Sequence, residues 1–143
     1  MGYVKKIVTV LLVLIPLTAI AAEERGNADQ FWLKYRKAIL SNRTKEISDM
    51  TRFPFEVRGI VDTDPVKYYD RKRFPPILTR ILIQRQILPS GGRFIEKTML
   101  QVVEEKRGLV PQDYLTPEFL RVEQLEFQRI RGHWLFTGAY LEE

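Results

Sequence analysis

The strongest constraint on the fold is an alternation of apolar and polar residues that runs through two long stretches, residues 118–130 and 134–141. Such alternation is typical of half-buried strands. The two stretches meet around Gly132, and glycine adopts the positive φ of a short hairpin turn without steric penalty. Within the first stretch the apolar residues change phase, which predicts a β-bulge near Gln124. The sequence therefore predicts a long antiparallel hairpin in this region.

An amphipathic helix is predicted over residues 27–40. Asn27 is a good N-cap, and Gln30 stands where a capping box places its second residue. Apolar residues at helical spacing form one broad face. They are Phe31, Trp32, Tyr35, Ala38 and Ile39. A second, short helix is predicted over residues 43–50, with Asn42 as its cap.

The middle of the chain predicts a strand, a turn and a helix. Residues 53–61 alternate as a half-buried strand does. Pro54 has no amide hydrogen, so it is expected at the start of that strand or on a sheet edge. Asp62-Thr63-Asp64-Pro65 predicts a turn. A new helix is predicted to start at Pro75 and to run to residue 87, because proline suits a first helical turn.

Beyond the turn at Gly91 and Gly92 the sequence predicts strands, starting with residues 94–103, and a loop over residues 109–116. The order of elements is therefore helix, short helix, strand, helix and three strands. This order lacks the alternation of strands and helices that builds wound parallel sheets. It predicts an α+β domain with an antiparallel sheet.

Four motifs carry a family resemblance. They are Phe31-Trp32-x-x-Tyr35-Arg36, Phe53-Pro54-Phe55-x-Val57, Tyr69-Asp70-Arg71-x-x-Phe74 and Gly132-x-Trp134-x-Phe136-x-Gly138-x-Tyr140. Together they resemble small exported bacterial proteins of the nuclear transport factor 2 superfamily, also called cystatin-like. The resemblance implies N-terminal helices packed on a strongly curved antiparallel sheet, in a cone with an open mouth. The superfamily includes isomerases, dehydratases, transport adaptors and binding domains, so the fold alone does not define an activity.

The concave side of such a sheet implies an apolar ligand pocket with a few polar groups. The residues assigned to it are Trp32, Tyr35, Phe55, Tyr69, Trp134, Phe136 and Tyr140. Three of them, Trp134, Phe136 and Tyr140, are expected on one side of the last strand, with a gap at Gly138. A row of this kind is usually core, but this sheet is also expected to serve a homodimer.

Residues 1–21 have the three parts of a secretory signal peptide: a charged start, an apolar stretch and small residues at positions 19 and 21. Cleavage is predicted after Ala21. Residues 22–143 would then form a single periplasmic or secreted domain without a membrane span. An uncleaved anchor is the alternative, but the apolar stretch is short for a span.

Composition excludes several classes of site. The chain has no cysteine and one histidine, which excludes disulfides, a cysteine nucleophile and a metal site with several histidines. No metal or cofactor is therefore predicted. Residues 22–143 carry 21 Lys+Arg (23 − 2) against 18 Asp+Glu, a net charge of +3. Because no basic stripe with interleaved aromatics is present, nucleic-acid binding is not expected.

Proton transfer in a cone-shaped pocket would need buried ionisable groups. The candidates are Tyr35, Tyr68, Tyr69, Asp62, Asp64 and His133. His133 is expected in solvent at the hairpin tip, and Asp62 and Asp64 are expected to form a turn. Tyr35 is expected in the core with its hydroxyl at the rim. No catalytic residue is assigned.

A basic patch is formed by Lys67, Arg71, Lys72 and Arg73. Such a cluster is usually a solvated surface. It could also dock an acidic partner or an anionic component of the cell envelope.

The sequence thus predicts an exported, non-catalytic binding or interaction domain that holds a small apolar ligand or a protein partner. A first alternative is an isomerase or dehydratase of the cone type, which would need two buried ionisable groups converging in one pocket. A second is an inhibitor or immunity protein against a secreted toxin or cell-wall hydrolase, with residues 109–116 as its protruding loop.

Overall fold

A computed structural model describes residues 17–142, which form the predicted α+β arrangement. The helices are α1 (Leu17–Leu40), α2 (Thr44–Asp49), α3 (Phe74–Ile83) and α4 (Met99–Glu105). The strands are β1 (Thr51–Arg58), β2 (Lys67–Tyr69), β3 (Arg85–Ser90), β4 (Arg93–Thr98), β5 (Tyr114–Thr116), β6 (Phe119–Val122), β7 (Leu125–Ile130) and β8 (His133–Tyr140).

Six strands form one mixed sheet in the order β2-β1-β8-β7-β6-β5, while β3 and β4 pair separately. Neighbours in the large sheet are antiparallel, except that β1 and β8 run parallel. The prediction of an antiparallel sheet is wrong at this central pair. Parallel neighbours need a long crossover, and the chain from β2 to β7 supplies one. The cone shape implied by the family resemblance stays a prediction.

Residues 1–16 of the predicted signal peptide lie outside the described residues, so its cleavage stays a prediction. No helix within residues 17–142 is both long and apolar enough to cross a bilayer.

Helix α1 begins at Leu17, so the predicted N-cap at Asn27 is wrong. Its end at Leu40 and its buried face match the prediction. The buried residues are Ala28, Trp32, Tyr35, Ala38 and Ile39. Asn42 does not cap α2 either, because Arg43 precedes that helix and makes no side-chain cap. With φ of 52°, Asn42 instead closes α1, as asparagine in the left-handed region commonly does.

Helix α3 starts where predicted, with two prolines in its first turn, but it ends at Ile83 rather than at residue 87. Gln84 is extended and joins the end of α3 to the end of β8. Its Nε2 donates to the Tyr140 carbonyl at 2.7 Å, and its Oε1 accepts from the Glu142 amide at 3.3 Å. The residues predicted as the last helical turn therefore begin β3.

The predicted strand over residues 94–103 is correct only as far as Thr98. Helix α4 follows, and its start is a capping box: Thr98 Oγ1 accepts from the Gln101 amide at 3.2 Å, and Gln101 Oε1 accepts from the Thr98 amide at 2.8 Å. Burial of Met99, Val102 and Val103 holds the helix on the core. The Thr-x-x-Gln spacing signals this helix, but its two adjacent valines favour a strand.

Residues 118–130 form two strands instead of one strand with a bulge. Glu123 and Gln124 make a tight turn between β6 and β7, with Val122 paired to Leu125. Glu123 has a φ of 50°, as hairpin turns of this type require. The phase change in the sequence therefore marks a hairpin.

Other predictions are confirmed only in part. Gly132, with φ of 80°, forms the turn between β7 and β8, and residues 62–63 form a turn after β1. The predicted loop over residues 109–116 is wrong in part, because this segment contains a 3-10 turn and β5. The prediction for Pro54 is wrong, because Pro54 lies inside β1 and not at its start, and β1 lies between β2 and β8 and not on an edge. Pro54 lies where the register with β8 shifts, so the ladder does not need its amide.

Candidate functional site

Four of the aromatic residues assigned to the ligand pocket lie in the core of the domain. The residues with no exposed surface are Trp32, Tyr35, Phe55 and Phe136. The Tyr35 ring centroid lies 5.1 Å from that of Phe127 and 5.3 Å from that of Phe136, and the centroids of Phe55 and Phe136 are 4.6 Å apart. These are the distances of packed aromatic pairs. The four rings fill the core between the helices and the sheet.

Two polar atoms of this core differ in their bonding. Trp32 Nε1 donates to the Lys106 carbonyl at 3.0 Å. The buried Tyr35 hydroxyl has no hydrogen-bond partner among the described residues. It lies inside the core, so its predicted position at a rim is wrong. Burial raises the pKa of Tyr35 well above its ordinary value, which keeps the hydroxyl protonated.

The predicted row of aromatics on β8 is split between the two faces of the sheet. The register between β7 and β8 shifts at Thr137, and this irregularity changes the side to which later residues point. Trp134 and Phe136 face the helices. Tyr140 faces away from them, with its ring near two arginine guanidinium groups, 5.9 and 5.7 Å from the ring centroid. Tyr69, on β2, is half-buried opposite Phe55.

An outer-face cluster surrounds Tyr140 and consists of Glu56, Arg58, Arg121, Glu126 and Tyr140. Glu126 is only 5% exposed, and Arg58 Nη1 lies 3.4 Å from its carboxylate. The same Arg58 nitrogen lies 3.5 Å from the Tyr140 hydroxyl, and Arg58 also pairs with Glu56. The hydrogen bond to Tyr140 and the charges of the two carboxylates raise the pKa of Arg58. The cluster thus neutralises a buried carboxylate.

The basic patch lies on β2 and the segment between β2 and α3. Arg71 pairs with Asp49 at 2.8 Å, and its guanidinium lies over the Phe53 ring at 5.1 Å. Arg73 pairs with Asp70 at 3.2 Å. Lys72 is exposed and Lys67 is half-buried. Both arginines of the patch are therefore held by acidic groups of this chain, which supports a structural role for them.

The ionisable candidates lie on different elements, except that Asp62 and Asp64 share one turn and Tyr68 and Tyr69 share β2. His133 is exposed beside the β7–β8 turn, and Asp62 is exposed in the turn after β1. Asp64 Oδ2 accepts from the Val61 amide at 3.3 Å, as a turn-forming aspartate does. A second buried carboxylate, Asp113, pairs with Lys106 at 2.9 Å. In the described part of the chain, no group of three acidic or histidine side chains comes together to hold a metal ion.

The loop proposed for an inhibitor is tied to α1. Asp29 Oδ1 accepts from the Leu109 amide and from the Tyr114 hydroxyl, both at 3.3 Å. Sequence reasoning did not assign this role to Asp29, because nothing local relates the residue to a loop so distant in the chain. The loop still exposes Val110 and Leu115, and the inhibitor alternative stays a prediction.

Two surface features remain as candidate binding sites. The first is a cleft of about 480 Å³ between α1, the junction of α2 with β1, and the β7–β8 turn. Of the residues that the sequence analysis assigned to a ligand pocket, Trp134 lines this cleft. Lys34 and His133 stand at its rim, and sequence reasoning did not group them because they meet only in the folded chain.

The second feature is the outward face of the β3–β4 hairpin. Cross-strand pairing places Pro89 opposite Phe94 and Ile87 opposite Glu96, so these side chains share one face. Phe94 is 79% exposed and Ile87 is 72% exposed. On the opposite face Gln86 is buried and Leu88 packs on the core. The alternation at Ile87 is visible in the sequence, but the prediction of a helix to residue 87 concealed it.

Comparison with family models, with curated proteins and with solved structures gives no match to this chain.

Proposed function

We propose that this protein is an exported, non-catalytic interaction domain whose protein partner docks on the outward face of the β3–β4 hairpin. The observation that carries the proposal is the exposure of Phe94 and Ile87 on one face of a hairpin whose other face packs on the domain. Large apolar side chains grouped in this way mark interaction surfaces more often than single exposed ones do. The export component depends on the signal peptide predicted over residues 1–21.

The charges beside the hairpin face indicate the chemistry of the partner. Arg85 is paired with Glu96 at 3.1 Å, and Lys97 is paired with Glu105. Arg93 is exposed, but strand alternation places it on the opposite face from Phe94. On the Phe94 face the charges of Arg85 and Glu96 neutralise each other, so the expected partner offers an apolar cavity for Phe94.

Site-specific photocrosslinking tests this proposal. The photoreactive amino acid p-benzoylphenylalanine is placed at Phe94 in the full-length protein, expressed in the organism of origin. Tyr68, an exposed aromatic residue of β2, serves as the matched control position. We expect a discrete protein adduct from position 94 and none from position 68. Adducts in equal yield from both positions, or none from position 94, would contradict the proposal.

A second variant checks that the hairpin face itself is responsible. Ile87→Ser should remove the adduct formed at position 94 while leaving the melting temperature near that of the wild type, because Ile87 is exposed. A loss of thermal stability with the adduct retained would instead indicate that Ile87 is a structural residue.

The alternative of a cone-type enzyme stays a prediction with less support. It needs two buried ionisable groups that converge in a pocket. In the described residues Glu126 pairs with Arg58 and Asp113 pairs with Lys106. Each of these buried carboxylates has a structural partner of its own.

A further inference from the structure

The cleft between α1 and the β7–β8 turn combines an apolar lining with polar groups at its edge. Phe31, Met50, Trp134 and Leu135 contribute the apolar surface. Its volume of about 480 Å³ is within the range of small-molecule sites. Three separate parts of the chain form its walls, and each carries a buried residue next to the lining: Tyr35, Thr51 and Phe136. The cleft is therefore a preformed feature of the folded domain.

Trp134 provides a hydrogen-bond donor without an acceptor. Its indole is 7% exposed, and the buried Nε1–H has no partner among the described residues. The other tryptophan differs, because Trp32 Nε1 donates to a backbone carbonyl. A buried donor without a partner destabilises the folded state. The nitrogen itself is shielded from solvent, so a molecule in the cleft meets the apolar ring of Trp134 and not this donor.

The charged side chain at the cleft that has no ion-pair partner among the described residues is a lysine. Lys34 is exposed at the rim, and the described residues place no carboxylate within ion-pair distance of it. The acidic side chain at the rim, Asp49, is already paired with Lys45 at 3.0 Å and with Arg71 at 2.8 Å. These two bonds lower the pKa of Asp49 and keep it ionised and occupied. A negatively charged ligand could therefore pair with Lys34, and the carboxylate of Asp49 is already neutralised by its own partners.

We infer that this cleft binds a small anionic amphiphile, a molecule with an apolar body and one acidic head group. The body packs on Phe31, Met50 and Trp134. The head group lies toward Lys34. This ligand site is independent of the proposed partner surface on the β3–β4 hairpin, because the two share no residue.

A titration of the full chain with decanoate, followed by tryptophan fluorescence, tests the inference. We expect a saturable change in emission, and we expect Trp134→Phe to abolish it, because Trp32 lies in the core away from the cleft. Calorimetry of the same titration detects binding without relying on fluorescence. No saturable binding by either method would overturn the inference.

Matched charge reversals on α1 test the role of Lys34. Lys34→Glu should weaken decanoate binding at least fivefold, whereas Lys37→Glu, an equal charge change on the same helix and outside the cleft lining, should leave it unchanged. Decanol, which lacks the charge, should bind at least fivefold more weakly than decanoate. Equal weakening by the two reversals, or equal binding of decanol, would overturn the assignment of an anionic ligand.

The hairpin variant Ile87→Ser separates this inference from the proposed function. It should bind decanoate as the wild type does while losing its crosslinked partner. If Ile87→Ser abolishes decanoate binding, the ligand lies on the hairpin and the cleft assignment is wrong.

Discussion

The buried side chain of Tyr35 combines a well-packed ring with a hydroxyl that has no hydrogen-bond partner among the described residues. Its ring lies in the centre of the aromatic core. The ring contributes packing that the core needs, while the buried hydroxyl opposes folding. The two parts of one side chain therefore have opposite effects on stability.

This division predicts opposite outcomes for two substitutions at Tyr35. Tyr35→Phe should leave the free energy of unfolding unchanged or raise it by up to about 1 kcal/mol, because it removes only the unpartnered hydroxyl. Tyr35→Ala should lower it by about 3 kcal/mol or more, because it empties the centre of the core. Urea unfolding measures both. A clear loss of stability in the phenylalanine variant would show that the hydroxyl has a partner.

Gly138 allows β1 and β8 to approach closely. A Cβ at this position would lie 3.0 Å from the Glu56 carbonyl oxygen and 3.5 Å from the Glu126 carboxylate. The nearer atom belongs to the backbone of the neighbouring strand, which cannot move without disturbing the ladder. A side chain here would therefore separate the parallel strands.

Gly138→Ala should accordingly lower the free energy of unfolding by about 1–3 kcal/mol. Gly108→Ala is the matched control, because a Cβ there has no neighbour within 4 Å, and its effect should stay within about 0.5 kcal/mol. Equal melting temperatures for the two variants would show that the β1–β8 contact adapts to the extra methyl group.

Among the elements, α2 is joined to the segment before α3 by one carboxylate. Asp49 accepts from Lys45 within α2 and from Arg71 beyond β2, and these bonds lower its pKa. Its pKa is lower in the folded than in the unfolded state, so ionised Asp49 favours folding. That contribution is complete above the unfolded pKa of about 3.9 and is lost as the pH falls through the folded value.

Asp49→Asn should therefore be less stable than the wild type at pH 7, with the difference vanishing in acid as the pH falls through the lowered pKa of Asp49. Thermal unfolding across this range at low salt measures it, since salt screens exposed ion pairs. Asp62→Asn, which removes a carboxylate from an exposed turn instead, is the control variant. A constant difference between Asp49→Asn and wild type at all pH values would contradict the assignment.

Elements were predictable where the signal was local. The buried face of α1 follows from helical spacing, and the β7–β8 turn follows from Gly132. Helix α4 was missed because Val102 and Val103 favour strand, although tertiary burial and the capping box outweigh that preference. The candidate cleft was only partly predictable. Trp134 was assigned to a pocket, but Lys34 joins it through contacts between distant parts of the chain.

For the whole molecule, the position of β8 matters most. It lies between β1 and β7 at the centre of the six-stranded sheet, and its partner β1 comes from the opposite part of the described chain. The β3–β4 hairpin, in contrast, forms its own two-stranded sheet. The two regions should therefore differ in their importance for cooperative folding.

Two deletions test this difference. A chain that stops after Arg131 lacks β8 and should show no cooperative urea transition, since the parts of the sheet on either side lose their common neighbour. Replacement of Pro89–Phe94 by Asn-Gly shortens the hairpin while keeping Leu88 opposite Ile95, and it should unfold cooperatively. Circular dichroism follows both variants. A sharp transition in the first would show that β8 is dispensable.

The central place of β8 also has a consequence during synthesis. Strand β1 emerges from the ribosome long before the parallel strand that it needs, and β7 also waits for β8 to complete its pairing. The nascent polypeptide therefore stays without its finished sheet until His133–Tyr140 has been made. Late completion of the sheet would suit the export that residues 1–21 predict, because a narrow secretion channel passes an unfolded chain.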